Sequence, residues 1–296
     1  MGKYVRFRLG LVLVLFIFLF STNALLWSRL LFSADKYLTV AFLDIGQGDS
    51  ILIESPTGNR ILVDAGPGKA VLSELAEVLP WNDRKLDILL GTHPDQDHVG
   101  GFVHILPVYR TRYFLEPGVQ KSTKIWDSLK LRVEEYGLKD IIVRRGYLID
   151  LGGGVQLETL YPDRDVRAVK DTNDGSIVAK LSYKDRTFLL TGDATLLVES
   201  RLLSYASSEL KSDVLKVGHH GSRTSSGDKF ISAVSPDYAV ISVGEKNSYG
   251  HPHPDVLSRL QKFVPGIFRT DKEGRILIKV SKEGEIIVET KNPPLD

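Results

Sequence analysis

The chain of 296 residues has no cysteine and a single methionine. The missing thiols exclude structural disulfides, thiolate metal sites and thiol nucleophiles together. An excess of charge of one sign is missing too. Lys and Arg number 38 against 37 Asp and Glu, a net charge of +1. No global basic surplus points to a nucleic acid, so a DNA substrate would need a local patch. Tandem repeats and low-complexity stretches are absent. With 43% hydrophobic and 25% charged residues, the composition is that of a soluble globular protein able to bury a core. The length allows one large domain or two small ones.

The long apolar run is confined to the N-terminus. Lys3, Arg6 and Arg8 precede an unbroken stretch from Leu9 to Phe20, and apolar residues resume from Ala24 to Trp27. A helix of about 20 such residues spans a bilayer. Positive charge before it predicts an N-terminus inside and the bulk of the chain outside. Two readings compete: an uncleaved anchor, or a secretory signal peptide with Thr22-x-Ala24 as the cleavage site. Leu25-Leu26-Trp27 and Leu30-Leu31-Phe32 extend the apolar character and favour the anchor. Residues 1–34 are read as anchor or signal plus linker, with 28–36 the linker itself. Residues 35–296 are read as a domain outside the cytoplasm, membrane-held or secreted.

From Tyr37 the pattern turns to short β-branched runs. Strands are expected at 38–43, 50–54 and 60–64, a helix at 69–79 stopped by Pro80, and a buried strand at 86–91. Beyond these come strands near 113–115, 141–144, 147–150 and 155–161, with a helix at 123–135. Strand and helix then alternate, ending in strands at 266–270, 275–280 and 284–290. Polar functional groups recur at strand ends, which suggests two sheets between helices.

The densest chemistry lies directly after the strand 86–91. Within six residues stand His93, Asp95, Asp97 and His98, followed by Gly100-Gly101. Four ionisable groups this close repel or desolvate one another unless a positive charge sits among them. A divalent cation, or a pair, is the natural candidate. The glycine pair suggests close backbone packing behind the loop. Six of the seven histidines fall in three clusters: His93 with His98, His219 with His220, and His251 with His253. His104 stands apart as a surface or packing residue.

The stretch Thr92-His93-Pro94-Asp95-Gln96-Asp97-His98-x-Gly100-Gly101 resembles the ligand loop of the metallo-β-lactamase superfamily, with Asp95 where that family usually has a second His. The same departure, with Gly46-Gln47-Gly48-Asp49, Asp64-Ala65-Gly66, Asn173-Asp174-x-Ser176, Gly192-Asp193-Ala194, His219-His220-Gly221-Ser222 and Gly250-His251-Pro252, is similar to the nuclease-like branch of ComEC-type DNA-uptake proteins. The resemblance covers residues 37 to about 280. It implies an α/β fold, the four-layer αββα sandwich, and two divalent ions side by side. By position, His93 and Asp95 would hold the first ion and Asp97 and His98 the second, with Asp193 bridging. An imidazole of the 219–220 pair, with His219 preferred, and His251 would complete the shells. His220 would then support the site or contact substrate. Asp64 would brace the ligand loop from behind, and Asn173 and Ser176 would lie beside it.

Where most of that family has a further histidine, this chain has Asn173-Asp174-Gly175-Ser176. With Asp95, this makes the first position rich in oxygen and favours harder ions, Mn2+ or Mg2+, over Zn2+. A water between two cations yields a hydroxide near neutral pH, so no Ser or Cys nucleophile is required. Asp97 is counted among the catalytic groups, and His220, Asp174 or water would protonate the leaving group. Arg223, Lys216, Lys229 and the Arg164–Lys170 stretch are candidate phosphate contacts.

The expected function is a metal-dependent phosphodiesterase or deoxyribonuclease outside the cytoplasm, with DNA as substrate. It would be attached to the membrane by its N-terminal segment and would work alone or beside a separate DNA-transport protein, since one apolar segment cannot form a channel. The alternatives are a phosphodiesterase on phosphorylcholine esters of cell-wall polymers and a non-catalytic binding module of the same fold.

Overall fold

The computed structural model describes residues 2–31 and 37–293. The chain divides into two compact units, with the second beginning at Tyr37. In the first, α1 (Gly2–Leu31) is a single helix of 30 residues. Residues 28–31, expected as linker, therefore belong to the helix; the rest of that linker, 32–36, lies outside the described residues. The apolar side chains of Val12 to Phe20 and of Leu25 are exposed. Among the described residues no helix is long and apolar enough to cross a membrane, so the structure does not supply the expected span.

The second unit opens with the antiparallel strands β1 (Leu38–Phe42), β2 (Ile51–Glu54) and β3 (Arg60–Val63), then α2 (Ala70–Val78) and β4 (Ile88–Leu90). The loop after β4 carries two short helices, α3 (Gln96–Val99) and α4 (Phe102–Ile105). It leads to β5 (Tyr113–Glu116), α5 (Lys124–Glu135) and β6 (Lys139–Ile142). The second half contains β7 (Leu148–Gly152), β8 (Val155–Tyr161), β9 (Val178–Tyr183), β10 (Arg186–Leu190), α6 (Leu196–Tyr205), β11 (Val214–Lys216), α7 (Asp228–Val234) and β12 (Tyr238–Ile241). It ends with α8 (Pro254–Phe263), β13 (Gly266–Arg269), α9 (Thr270–Glu273), β14 (Ile276–Val280) and β15 (Ile286–Thr290).

These strands make two sheets. One has eight strands in the order β15-β14-β1-β2-β3-β4-β5-β6, the other seven in the order β13-β12-β11-β10-β9-β8-β7. Alternation along each strand sorts side chains between layers. In β1, Leu38, Val40 and Phe42 enter the core between the sheets with Leu181, Phe188 and Ile278. The intervening Ala41 joins Val71, Leu75, Phe102 and Leu129 under α2, α4 and α5. On the far side, Leu189 and Leu215 pack on Val198, Leu202 and Phe230 of α6 and α7. Ile241 and Val217 pack on Val256 and Leu260 of α8. Fully burying a Phe such as Phe42 or Phe188 contributes about 1.5–3 kcal/mol. The result is the expected sandwich of two sheets between helical layers.

The topology positions the site. β3, β4 and β5 run parallel, as do β10, β11 and β12. The loops leaving the carboxyl ends of β3, β4, β10 and β11 bear Asp64, His93–His98, Asp193 and His219–His220. The glycine pair behind the ligand loop does what its sequence suggested. A Cβ on Gly101 would lie 2.0 Å from the Ala65 carbonyl oxygen, and one on Gly100 2.5 Å from that of Pro67. The β4 loop is thereby pressed against the loop that carries Asp64.

Candidate metal centre

Asp64 is the floor of the site. It ends β3 in the left-handed region, φ 57°, and is buried. Its Oδ1 accepts from the Thr92 N–H at 2.8 Å and its Oδ2 from the Thr92 hydroxyl at 2.7 Å. That Oδ2 also accepts from His98 Nδ1 at 2.8 Å. Since the Thr92 hydroxyl proton is committed to Asp64, His93 Nδ1, 3.0 Å from Thr92 Oγ1, is the donor there. His220 Nδ1 donates to the Ser242 carbonyl at 3.0 Å. All three imidazoles are thus fixed through Nδ1, and in each the buried Nε2 has no hydrogen-bond partner among the described residues. The tautomer this imposes leaves a lone pair on Nε2, the arrangement of a metal-ligating histidine.

These nitrogens converge on Asp193, which follows β10 and is buried. Asp193 Oδ2 lies 3.3 Å from His98 Nε2, 3.5 Å from His220 Nε2 and 3.7 Å from His219 Nε2; its Oδ1 is buried without a partner. His220 Nε2 is also 3.5 Å from Asp97 Oδ2. The ligand atoms of Asp97, His98, Asp193 and His220 all fall within 4.8 Å of one another. Buried carboxylates and imidazoles with empty coordination directions, drawn from both sheets, fit a divalent cation.

The electrostatics agree. Burial alone pushes imidazolium down, and it takes His93 to about 4, helped by the neighbouring His98. At His98 the Asp193 and Asp64 carboxylates outweigh burial and raise it well above its usual value. At His220, Asp193 and Asp49 outweigh burial and lift it to about 9. Asp193 is held well below the carboxylate range against its own burial by His220, His98 and His93. Carboxylates that draw protons onto buried imidazoles mark a place that calls for positive charge.

The other expected site residues fall at varying distance from this centre. His219, the preferred ligand of its pair, donates or accepts through Nδ1 with Thr224 Oγ1 at 3.0 Å and is partly exposed. It is His220 that enters the four-residue group. The reason is local: His219 and His220 both have left-handed backbones, φ 48° and 53°, so the chain curls and successive side chains no longer alternate as they would beyond a strand. His251 lies behind His219, ring centroids 5.7 Å apart, with Nδ1 buried and unpartnered. Asp95 is partly taken: its Oδ1 meets Lys121 Nζ at 2.6 Å and Thr172 Oγ1 at 2.7 Å. Among the described residues, Asn173 Oδ1 in the turn Thr172–Gly175 and Ser176 Oγ just after it are buried without partners, and the following Ile177 N–H bonds the Thr92 carbonyl at 2.9 Å. Asp174 is bonded through Oδ1 to Thr195 Oγ1 at 2.5 Å, and its carbonyl accepts from Tyr161. His253 caps α8, accepting from the Asp255 N–H.

One expectation is reversed. Lys216, read as a phosphate contact, is fully buried and forms an ion pair with buried Asp49. It ends strand β11, and its amine also reaches the Gly192 carbonyl at 3.3 Å. A lysine in a strand sequence carries no sign of which way it faces, so only the buried carboxylate opposite explains it. Asp49, noted only as part of a motif, sits 3.3 Å from His220 Nδ1 and 3.9 Å from His98 Nδ1.

Around the centre, the surface changes character. Tyr249 is 68% exposed with its ring stacked on His251, centroids 5.7 Å apart at 23°. Arg223, well exposed, meets His253 Nε2 at 2.6 Å. Beyond the Thr172–Gly175 turn, a cleft of about 540 Å3 is lined by Tyr161, Arg164, Lys170, Asp174, Leu197 and Arg201 among others.

The model of the metallo-β-lactamase superfamily matches residues 43–245. The chain belongs to this superfamily. It is 32% identical over 259 residues to ComE operon protein 3 of Bacillus subtilis (strain 168), a match covering 80% of this chain and 32% of that protein. It is 31% identical over 247 residues to competence protein ComA of Neisseria gonorrhoeae, covering 83% of this chain and 33% of that one. The chain thus spans about a third of the length of these relatives. Among solved structures, Igni18, a metallo hydrolase from the archaeon Ignicoccus hospitalis KIN4/I, matches with a TM-score of 0.50 at 15% identity. That match covers 85% of this chain and 98% of Igni18, and it shows a shared fold. The chain is therefore similar to competence proteins, and its fold implies divalent metal ions, for which the His/Asp group above is the candidate site.

Proposed function

We propose that this metallo-β-lactamase superfamily member is a metal-dependent phosphodiesterase acting on DNA outside the cytoplasm, attached to the membrane through its N-terminal segment. The observation that carries the reading is the group Asp97, His98, Asp193 and His220, whose ligand atoms lie within 4.8 Å of one another and whose imidazole Nε2 atoms are buried without partners. These residues would hold one divalent ion, with His93 and Asp95 forming the other, first position. Ions bound there would supply Lewis acidity, lowering the pKa of a water and offsetting charge on phosphoryl oxygens.

The rest is the work of the chain itself. Asp64 and the Ser242 carbonyl hold His98 and His220 in the tautomer that keeps Nε2 available. Arg223, and Arg164 and Lys170 in the cleft, would offer charge to a phosphate backbone. Tyr249, exposed beside His251, offers a face on which a base stacks, and the cationic cleft follows the backbone, the combination used for single strands. The similarity to competence proteins supports DNA over other phosphodiesters. The apolar run Leu9 to Trp27 behind three positive charges supports attachment to the membrane, and a separate transport protein would be the partner.

The test is cleavage by the full chain in mild detergent, loaded with Mn2+, of labelled single-stranded DNA, duplex DNA and a chromogenic phosphodiester. Chelator-sensitive cleavage of DNA, lost in Asp97→Ala, is expected. A metal-loaded protein that cleaves none of them, or an Asp97→Ala variant as active as the parent, removes the proposal. Cleavage of the chromogenic ester alone removes DNA as the substrate.

A further inference from the structure

The two metal positions are built unequally. Asp97, His98, Asp193 and His220 gather within 4.8 Å, whereas among the described residues His93 and Asp95 belong to no such group. His93 Nε2 is ready, buried and unpartnered, and stands 4.0 Å from Asp95 Oδ2. The carboxylate beside it is already claimed. Lys121 Nζ and the Thr172 hydroxyl share Asp95 Oδ1 at 2.6 and 2.7 Å, and Lys121 Nζ also reaches Thr172 Oγ1 at 3.3 Å. Lys121 comes from the segment between β5 and α5 and lies in an open groove with Gln120, Ser122 and Arg167. An ammonium bound to a ligand carboxylate is itself a cation in that coordination shell. A divalent ion entering beside it must share Asp95 with a like charge or displace it.

We infer that Lys121 is a built-in competitor for the first metal position, so that the two positions load in order. The Asp97–His98–Asp193–His220 position fills first, and the His93–Asp95 position fills only at higher concentration, as the ammonium gives way. This rests on the metal-centre part of the proposed function and not on the DNA substrate. One positive charge a few ångström from an incoming divalent ion weakens its binding by about tenfold or more, even at water-like screening.

The experiment is a Mn2+ titration of the chelator-stripped full chain by calorimetry, with bound ions counted by native mass spectrometry and no substrate present. The parent is expected to take one ion tightly and a second about tenfold or more weaker. Lys121→Met is expected to tighten the second by about tenfold and leave the first unchanged. Lys121→Arg keeps the charge and the separation. Thr172→Val removes only a hydroxyl and shifts the second ion by less than about threefold. The Lys121 side chain is 33% exposed, so its loss spares the core, and circular dichroism checks the fold. Two ions of equal affinity in the parent, or an unchanged ratio in Lys121→Met, overturns the inference. A protein that cleaves no DNA yet shows the ordered loading leaves it standing. One that binds no Mn2+ at all removes it together with the metal centre.

Discussion

At the scale of single residues, the candidate metal centre depends on groups outside its proposed ligand set. Asp64 carries three hydrogen bonds from two residues and, through His98 Nδ1, sets which nitrogen of that ring is free. Asp64→Asn keeps the size and loses the charge. Its amide then turns a donor either toward the Thr92 N–H or toward the Thr92 hydroxyl and His98 Nδ1, breaking at least one of the three bonds. Loss of such an outer partner typically lowers metal affinity by about 10–100-fold. We expect Mn2+ affinity of the tight position to fall by that order in Asp64→Asn, with the fold intact by circular dichroism. Unchanged affinity would mean that His98 is oriented by packing alone. Lys216 belongs to the same scale. It neutralises Asp49 beneath His220 and His98, so the cation expected at a substrate phosphate instead stabilises the inside of the site.

At the scale of elements, the proposed ligands sit on loops whose shape is set by what lies next to them. The segment after His220, from Ser222 to Gly227, is tied to α6 by Glu199, a buried carboxylate accepting the N–H groups of Ser226 and Gly227. Burial pushes Glu199 up to about 7, outweighing those two donors and Arg259. Its folded pKa therefore exceeds the unfolded value of 4.5, and the native state holds the proton more tightly. The associated stability is fully present below about pH 4.5 and declines as pH rises to about 7, a change of about 3 kcal/mol over that window. Glu199→Gln has no proton to lose. Relative to the parent it is expected to gain about 2–3 kcal/mol in denaturant unfolding between pH 5 and pH 8, and a constant difference between the two proteins would refute the assignment.

The same scale shows what was readable beforehand. Strand and helix order, the close packing at Gly100-Gly101 and the loop His93–His98 were visible because hydrophobic period, small residues and ligand spacing are local. The entry of His220 rather than His219 into the four-residue group was not, because it depends on two consecutive left-handed residues. Nor was the grip of Lys121 on Asp95, which joins positions 26 residues apart, or the burial of Lys216 against Asp49. Long-range pairs of this kind leave no periodic trace in one sequence.

At the scale of the molecule, the site is a seam. Asp64, His93 and His98 come from loops of the eight-stranded sheet, Asp193 and His220 from loops of the seven-stranded one. Without an ion, this seam brings Asp49, Asp64, Asp97 and Asp193 together, with Lys216 and shared protons on imidazole to offset them. An ion bound across it adds attraction between the two sheets that the unfolded chain does not have. Binding to the native state alone stabilises by RT ln(1 + [L]/Kd), about 4 kcal/mol at a free concentration a thousand times Kd. For a unit of this size, each kcal/mol moves the melting midpoint by about 2–4 °C. Mn2+ in excess is therefore expected to raise the Tm of the chelator-stripped protein by about 10 °C. In Asp193→Ala, which removes the carboxylate facing His98, His219 and His220 at once, most of that rise should vanish. The comparison separates a clamp from a surface site. An ion held by one loop alone would stabilise parent and variant alike, whereas an ion that joins the two sheets needs the residue on which both converge.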